Sequence, residues 1–198
     1  MIDMEKENLP LLNLNIDYNE NDIDNETLGL SFVNIPASLT EWLKFNSQNN
    51  FQFKLDDDEQ TVTGPMFRAN FKIYRKIGNQ EFNVQMDEKS VKNLCFKMMK
   101  NGSSINKIDL NHNGKFSNEY AFLFESFILT DKHKIDIPEF STIENGSWIV
   151  SYKILNNELW NEIKAGKFNG ISPEIPFEMI KVEKQNEYSN IINILYST

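Results

Sequence analysis

Apolar and polar residues alternate with a period of two along several stretches of the chain, the mark of half-buried strands. Phe71–Arg75 and Glu81–Met86 alternate in this way and are joined through Gly78 and Asn79, a hairpin signal. Residues 28–34 read as a strand that Pro36 ends, and Lys107–His112, Tyr120–Leu129 and Ser147–Leu155 read as three more. A helical period governs residues 88–100, where Val91, Leu94, Cys95, Met98 and Met99 fall on one face. Asp87 is placed to cap that helix and Gly102 to stop it. Asn156 caps a second helix over 157–165, which turns Leu159, Trp160 and Ile163 inward and ends at Gly166. Residues 38–45, with Trp42, Leu43 and Phe45, read as a short helix. Residues 168–172 lead into 175–182, and 189–196 read as a closing strand. Strands outnumber helices and no repeat is visible, so the expected class is α+β, with a largely antiparallel, barrel-like sheet and two or three packed helices.

Composition narrows this picture. The 198 residues are 40% hydrophobic, and fifteen are Phe, enough to build a core. No stretch approaches the ~20 consecutive apolar residues of a membrane span, and the opening residues MIDMEKENLP do not read as a secretory leader. Charge is unevenly spread. Residues 1–26 carry eight acids against Lys6 alone, so most of the net charge of −9 sits there. That segment is expected to be a mobile acidic arm with a short apolar run at Leu9–Leu14, and 27–198 a single domain. The only arginines are Arg68 and Arg75, and no basic stripe exists, which argues against nucleic-acid binding.

Little in the chain can carry chemistry. Cys95 is the single cysteine and lies on the apolar helix face, so it reads as a core residue and rules out a disulfide framework. With His112, His133 and one Cys, a His/Cys metal cage is excluded, and no cofactor motif is present. His112 stands where an apolar strand gives way to the polar turn Asn111–Gly114, and reads either as a turn histidine or as a presented general base. His133, amid Asp131, Lys132 and Lys134, reads as a solvated loop residue. Ser172, in Gly-Ile-Ser-Pro-Glu, reads either as a turn serine or as an exposed nucleophile. Glu125 interrupts an apolar strand and must face solvent or find a polar partner. If that partner were His112, the pair would hold and charge-stabilise the imidazole.

Taken in order, several segments resemble a known family. They are residues 30–37, Val62–Phe67 leading to Lys72–Arg75, the 87–100 helix, Leu110–His112, Phe124–Leu129, Asn145–Val150, Ile154–Gly166 and Phe168–Glu174. Over about residues 28–178 the chain is similar to the XkdF-like serine proteases of tailed phages, which belong with the prohead (capsid maturation) proteases. The resemblance implies a fold like herpesvirus assemblin and an endopeptidase without cofactor or metal. Its nucleophile would be Ser172 and its general base His112, with Glu125 as third member and Asp109 as the local competitor. It implies phage scaffold and major capsid proteins as substrates, self-cleavage and self-association, and work inside the assembling procapsid in the host cytoplasm, with no membrane or nucleic-acid partner. The chain departs from the family pattern at Pro173 and Ile175. Proline has no N–H, so residue 173 cannot supply an oxyanion-hole donor. That departure and the acidic segment motivate a second reading, a catalytically weak or inactive homologue kept as a capsid-assembly or internal head protein. A third is an unrelated α+β binding domain.

Overall fold

The computed structural model describes residues 9–18, 29–33, 43–44, 54–77, 79–102, 107–110, 115, 117–168, 170–175 and 181–182. Twelve strands run through them: β1 (Leu11–Asn15), β2 (Gly29–Val33), β3 (Leu43–Lys44), β4 (Lys54–Asp56), β5 (Thr61–Phe67), β6 (Ile73–Ile77), β7 (Gln80–Gln85), β8 (Ile108–Leu110), β9 (Ala121–Ile128), β10 (Trp148–Ile154), β11 (Gly170–Ile175) and β12 (Lys181–Val182). Three α-helices accompany them: α1 (Glu88–Asn101), α2 (Asp131–Asp136) and α3 (Asn157–Lys164). The strands form three four-stranded sheets, ordered β12-β1-β7-β6, β4-β5-β10-β9 and β3-β11-β2-β8. Pairing is antiparallel except between β1 and β7 and between β2 and β8. The expected α+β class with mainly antiparallel pairing holds. The described strands do not close into a barrel, so that part of the expectation is corrected.

Local sequence explains the helices. The Asp87 carboxylate accepts the Ser90 amide at 2.7 Å, and the Asn156 side chain accepts the Leu159 amide at 2.8 Å, each satisfying a donor at an open helix start. Val91, Leu94, Cys95 and Met98 are buried as the period requires, while Met99 is exposed at the edge of that stripe. In α3, Leu159, Trp160 and Ile163 are buried.

β10 is covered on both faces. Trp148, Val150, Tyr152 and Ile154 enter the main core, and Ile149 joins a smaller cluster with Leu129, Phe140 and Ile143. β5 carries Pro65 opposite Ile149, beyond the three residues that β4 pairs and beside a shift in register. A proline is tolerated at such a place because one side of the strand is unpaired by β4 and the ladder is already irregular.

Three expectations need restating. The acidic segment 1–26 is described only over 9–18, and there Leu12, Leu14 and Ile16 are buried, with β1 seated between β7 and β12. The helix expected over 38–45 does not include Leu43 and Lys44, which pair with Ile175 and Glu174 as a sheet strand. Its other residues, like the closing strand expected over 189–196, lie outside the described residues. The loop expected around His133 is the helix α2.

Candidate active site

Ser172 lies in the middle of β11, which is flanked by β2 and β3. Across the sheet, Ser172 pairs with Ser31 of β2, and Ser31 pairs with Asp109 of β8. These three residues therefore form one row. The row on one side of it is Ile171–Phe32–Leu110, and on the other Pro173–Leu30–Ile108. Phe32, Ile108 and Ile171 are buried in the main core. Adjacent strands are about 4.8 Å apart, which puts the backbones of Ser172 and Asp109 roughly 10 Å apart.

Asp109 is fully buried, at 0% exposure. Its Oδ1 accepts the Leu110 amide at 2.6 Å. β8 ends at Leu110, two residues before His112, and His112 itself lies outside the described residues. Pro173 continues β11 opposite Leu30, so the strand runs through the residue that lacks an N–H.

Glu125 stands elsewhere. It is exposed on β9, in the β4-β5-β10-β9 sheet, and pairs with Ser151 of β10. The Ser151 hydroxyl donates to Glu125 Oε2 at 2.7 Å. The solvent-facing and partnered alternatives for this residue are thus both realised, with Ser151 as the partner.

His133 sits at the start of α2, where its Nδ1 accepts the Thr130 amide at 3.1 Å. Its ring lies 4.7 Å, centroid to centroid, from that of Phe127. It is a helix-capping residue, half-buried against an aromatic ring, and not a solvated loop residue. Cys95 is buried, and burial pushes its thiol up to about 11, with a bond to Ser126 pulling the other way. So little thiolate at neutral pH suits a core residue and not a nucleophile.

The one row member that the sequence reading did not single out is Ser31. It lies in a strand legible from its pattern, but its place beside Ser172 follows only from pairing between distant segments. Chemically, serine, carboxylate and histidine are the residue types that a nucleophilic hydrolase combines, and the serine of β11 shares its register row with the buried Asp109 of β8.

A family model described as "Putative phage serine protease XkdF" matches residues 49–176. The match includes Asp109, His112, Glu125 and Ser172, while β1, β2 and β3 precede it. No curated protein and no solved structure matches the chain.

Proposed function

The chain belongs to the XkdF family of phage serine proteases, and from that premise we propose that it is a capsid maturation (prohead) endopeptidase. Ser172 is the nucleophile and His112 the general base in this reading. A serine hydroxyl is weakly nucleophilic at neutral pH until a neighbouring base takes its proton. Ser172 Oγ bonds to the scissile carbonyl carbon as its proton passes to the imidazole. The imidazolium then protonates the amide nitrogen, the C–N bond breaks, and the amine leaves. Water, deprotonated by the same imidazole, attacks the acyl-serine ester and returns the hydroxyl. A carboxylate behind the imidazole, Asp109 or Glu125, would hold its orientation and stabilise its charged form.

The observation that supports this assignment is the register row that joins Ser172 through Ser31 to Asp109, on the strand that leads to His112. The substrates proposed are the scaffold and major capsid proteins of the assembling head, cleaved inside the procapsid in the host cytoplasm, and the protease itself. An assemblin-like arrangement of the sheets belongs to the same proposal.

The test is a comparison of intact masses. Wild type and Ser172→Ala are each co-expressed with the neighbouring capsid and scaffold proteins. Trimmed partners, or a self-trimmed protease, with wild type alone are expected. Identical untrimmed masses in both samples, in cells where heads assemble, would favour the non-catalytic assembly role that the proline at 173 suggests.

A further inference from the structure

We propose that the outward face of α1, with Tyr18 beside it, is a docking site for a protein partner, and that the partner presents an acidic segment carrying an aromatic or aliphatic side chain. The inference goes beyond the proposed function and does not depend on Ser172 or His112.

Between Glu88 and Lys100, the exposed residues of α1 that follow Glu88 are Lys89, Lys92, Phe96, Met99 and Lys100. At 3.6 residues per turn these five fall within an arc of about 100°, a single stripe ~16 Å long. The outward stripe of a surface helix is ordinarily polar. Here its middle is Phe96 and Met99, which are 45% and 40% exposed. Tyr18 is 42% exposed and meets the Phe96 ring edge-on, with centroids 6.0 Å apart. It is held there because Asn93, on the same helix, donates to the Ile16 carbonyl at 2.7 Å. An exposed apolar residue standing alone is unremarkable, but three gathered on one helix face form a small apolar spot.

Charge decides what fits that spot. Lysines stand at both ends of the stripe, and Lys92 Nζ lies 5.6 Å from the centroid of the Phe96 ring. Lys89 and Lys92 make no ion pair among the described residues. The neighbouring acids do not neutralise the stripe: Glu88 packs against Gly146, and Asp87 accepts the Ser90 amide. A chain of net charge −9 repels an acidic partner at long range, so a face with three lysines selects where one can land. The aromatic spot between them then takes an apolar side chain out of water, which charge alone does not do. Nucleic acid is a poorer fit, because the face has no arginine and the net charge opposes a phosphate backbone. So is a bilayer, which takes up the whole apolar side of a helix, and α1 buries that side in the core through Val91, Leu94 and Met98.

The experiment uses the full-length chain and the fluorescence anisotropy of a labelled peptide in which glutamates surround a Trp-Leu pair. A second peptide has lysine for every glutamate, and a third has Ser-Ser for Trp-Leu. The first is expected to bind, and each of the others to bind about tenfold more weakly or worse, since each lacks one of the two contributions. Lys92→Glu and Phe96→Ser are each expected to weaken binding of the first peptide by about tenfold or more. Raising salt to about 0.5 M should weaken it severalfold. Lys54→Glu, on a strand of the β4-β5-β10-β9 sheet and paired with Glu139, should leave it within about twofold, because a lysine outside the stripe takes no part. Circular dichroism checks that each variant is folded. If Phe96→Ser is not, Met99→Ser takes its place.

Binding that neither Lys92→Glu nor Phe96→Ser alters overturns the proposal, as does the absence of binding. Three other results overturn it by naming a different occupant. Tighter binding of duplex DNA or of phosphatidylserine vesicles than of the peptide, lost with Lys92→Glu, assigns the face to phosphate-bearing partners. A dimer in sedimentation that Phe96→Ser dissociates puts a second copy there. Binding that appears only when Glu20, Asp22, Asp24 and Glu26 are replaced by their amides names the chain's own acidic segment.

Discussion

Ser151 donates its hydroxyl proton to Glu125 across the β9–β10 pairing, at 2.7 Å. Thr63 Oγ1 lies 2.9 Å from the same Ser151 oxygen. A hydroxyl has one proton to give, so Thr63 must be the donor in that second contact. The result is a directed chain, Thr63 to Ser151 to Glu125, across three adjacent strands. It occupies the face of β10 away from Trp148, Val150 and Tyr152, where Ser151 is buried among strands.

This chain makes Ser151 a larger contributor to stability than Glu125. Ser151→Ala removes both bonds and strands the Thr63 hydroxyl, for a loss of about 1–3 kcal/mol. Glu125→Gln keeps an acceptor at an exposed position and should cost no more than about 1 kcal/mol. Urea titrations of the two variants check the order. A Glu125→Gln protein less stable than Ser151→Ala contradicts the scheme.

How far the sequence reveals such features depends on how local they are. Helices α1 and α3 are legible because cap and period lie within a dozen residues: Asp87 and Asn156 at the starts, Leu94 and Trp160 inside. The β6–β7 hairpin is legible for the same reason. β1 is hidden by composition, since the acids around it outweigh the alternation Leu12, Leu14, Ile16 that makes it a strand. α2 carries no buried residue, so it has no apolar period to read, and its cap is an unusual one, His133. Site residues divide likewise. Ser172 and Asp109 can be picked out as candidates, but their common row depends on β2, a strand some 140 residues from β11 in sequence. Glu125 finds Ser151 only because β9 pairs with β10 in a register that is broken beside Ser151.

Arg68 grips Glu144 through two parallel bonds, Nε to Oε2 at 2.7 Å and Nη2 to Oε1 at 2.6 Å, with its guanidinium 4.0 Å above the Phe71 ring. The arginine side chain is only 14% exposed, so water screens the pair weakly. Lysine cannot reproduce the planar fork or the stacking. Arg68→Lys is therefore expected to lose most of what Arg68→Ala loses, about 1–3 kcal/mol. A double-mutant cycle with Glu144→Ala measures the coupling. Near-zero coupling would place this pair with ordinary surface ion pairs.

Gly146 has φ +82°, and a Cβ there would stand 2.4 Å from Glu88 Cγ, at the first turn of α1. Gly146→Ala thus meets both a left-handed backbone and a collision, and should destabilise the fold by about 2 kcal/mol or more. Adding Glu88→Ala removes Cγ and Cδ but leaves a Cβ contact at 2.7 Å and the unfavourable φ. Partial recovery in the double variant is the expected outcome, read from thermal midpoints. Full recovery would mean that the backbone conformation carries no cost here.

Stability should also fall in alkali. Burial raises the Cys95 thiol from its ordinary 9.0 to about 11, and it raises the Tyr152 phenol in the same direction. A raised folded-state value means that the native protein keeps a proton which the unfolded chain releases. The contribution is complete below about pH 9 and is lost as pH rises through about 11. Urea midpoints across that window are expected to decline in wild type and to decline less steeply in Cys95→Ala. Identical slopes would show that the thiol ionises alike in both states.

The strand β1 provides the last prediction. It lies between β7, which it pairs in parallel, and β12, and its Leu14 has no exposed surface. The Asn93 side chain on α1 donates to the Ile16 carbonyl at 2.7 Å, and the Gln85 amide donates to Asn13 at 2.9 Å, so the segment is tied at its middle and just past its C-terminal end. Leu14→Ala should cost about 2–5 kcal/mol, the range for emptying a core leucine site. Deleting residues 1–18 should cost far more, since it bares one edge of β7 and opens the core at Leu12, Leu14 and Ile16 together. Circular dichroism and urea melts of the two variants test this. A deletion variant as stable as the full chain would mean that β1 is an appended arm and no part of the core.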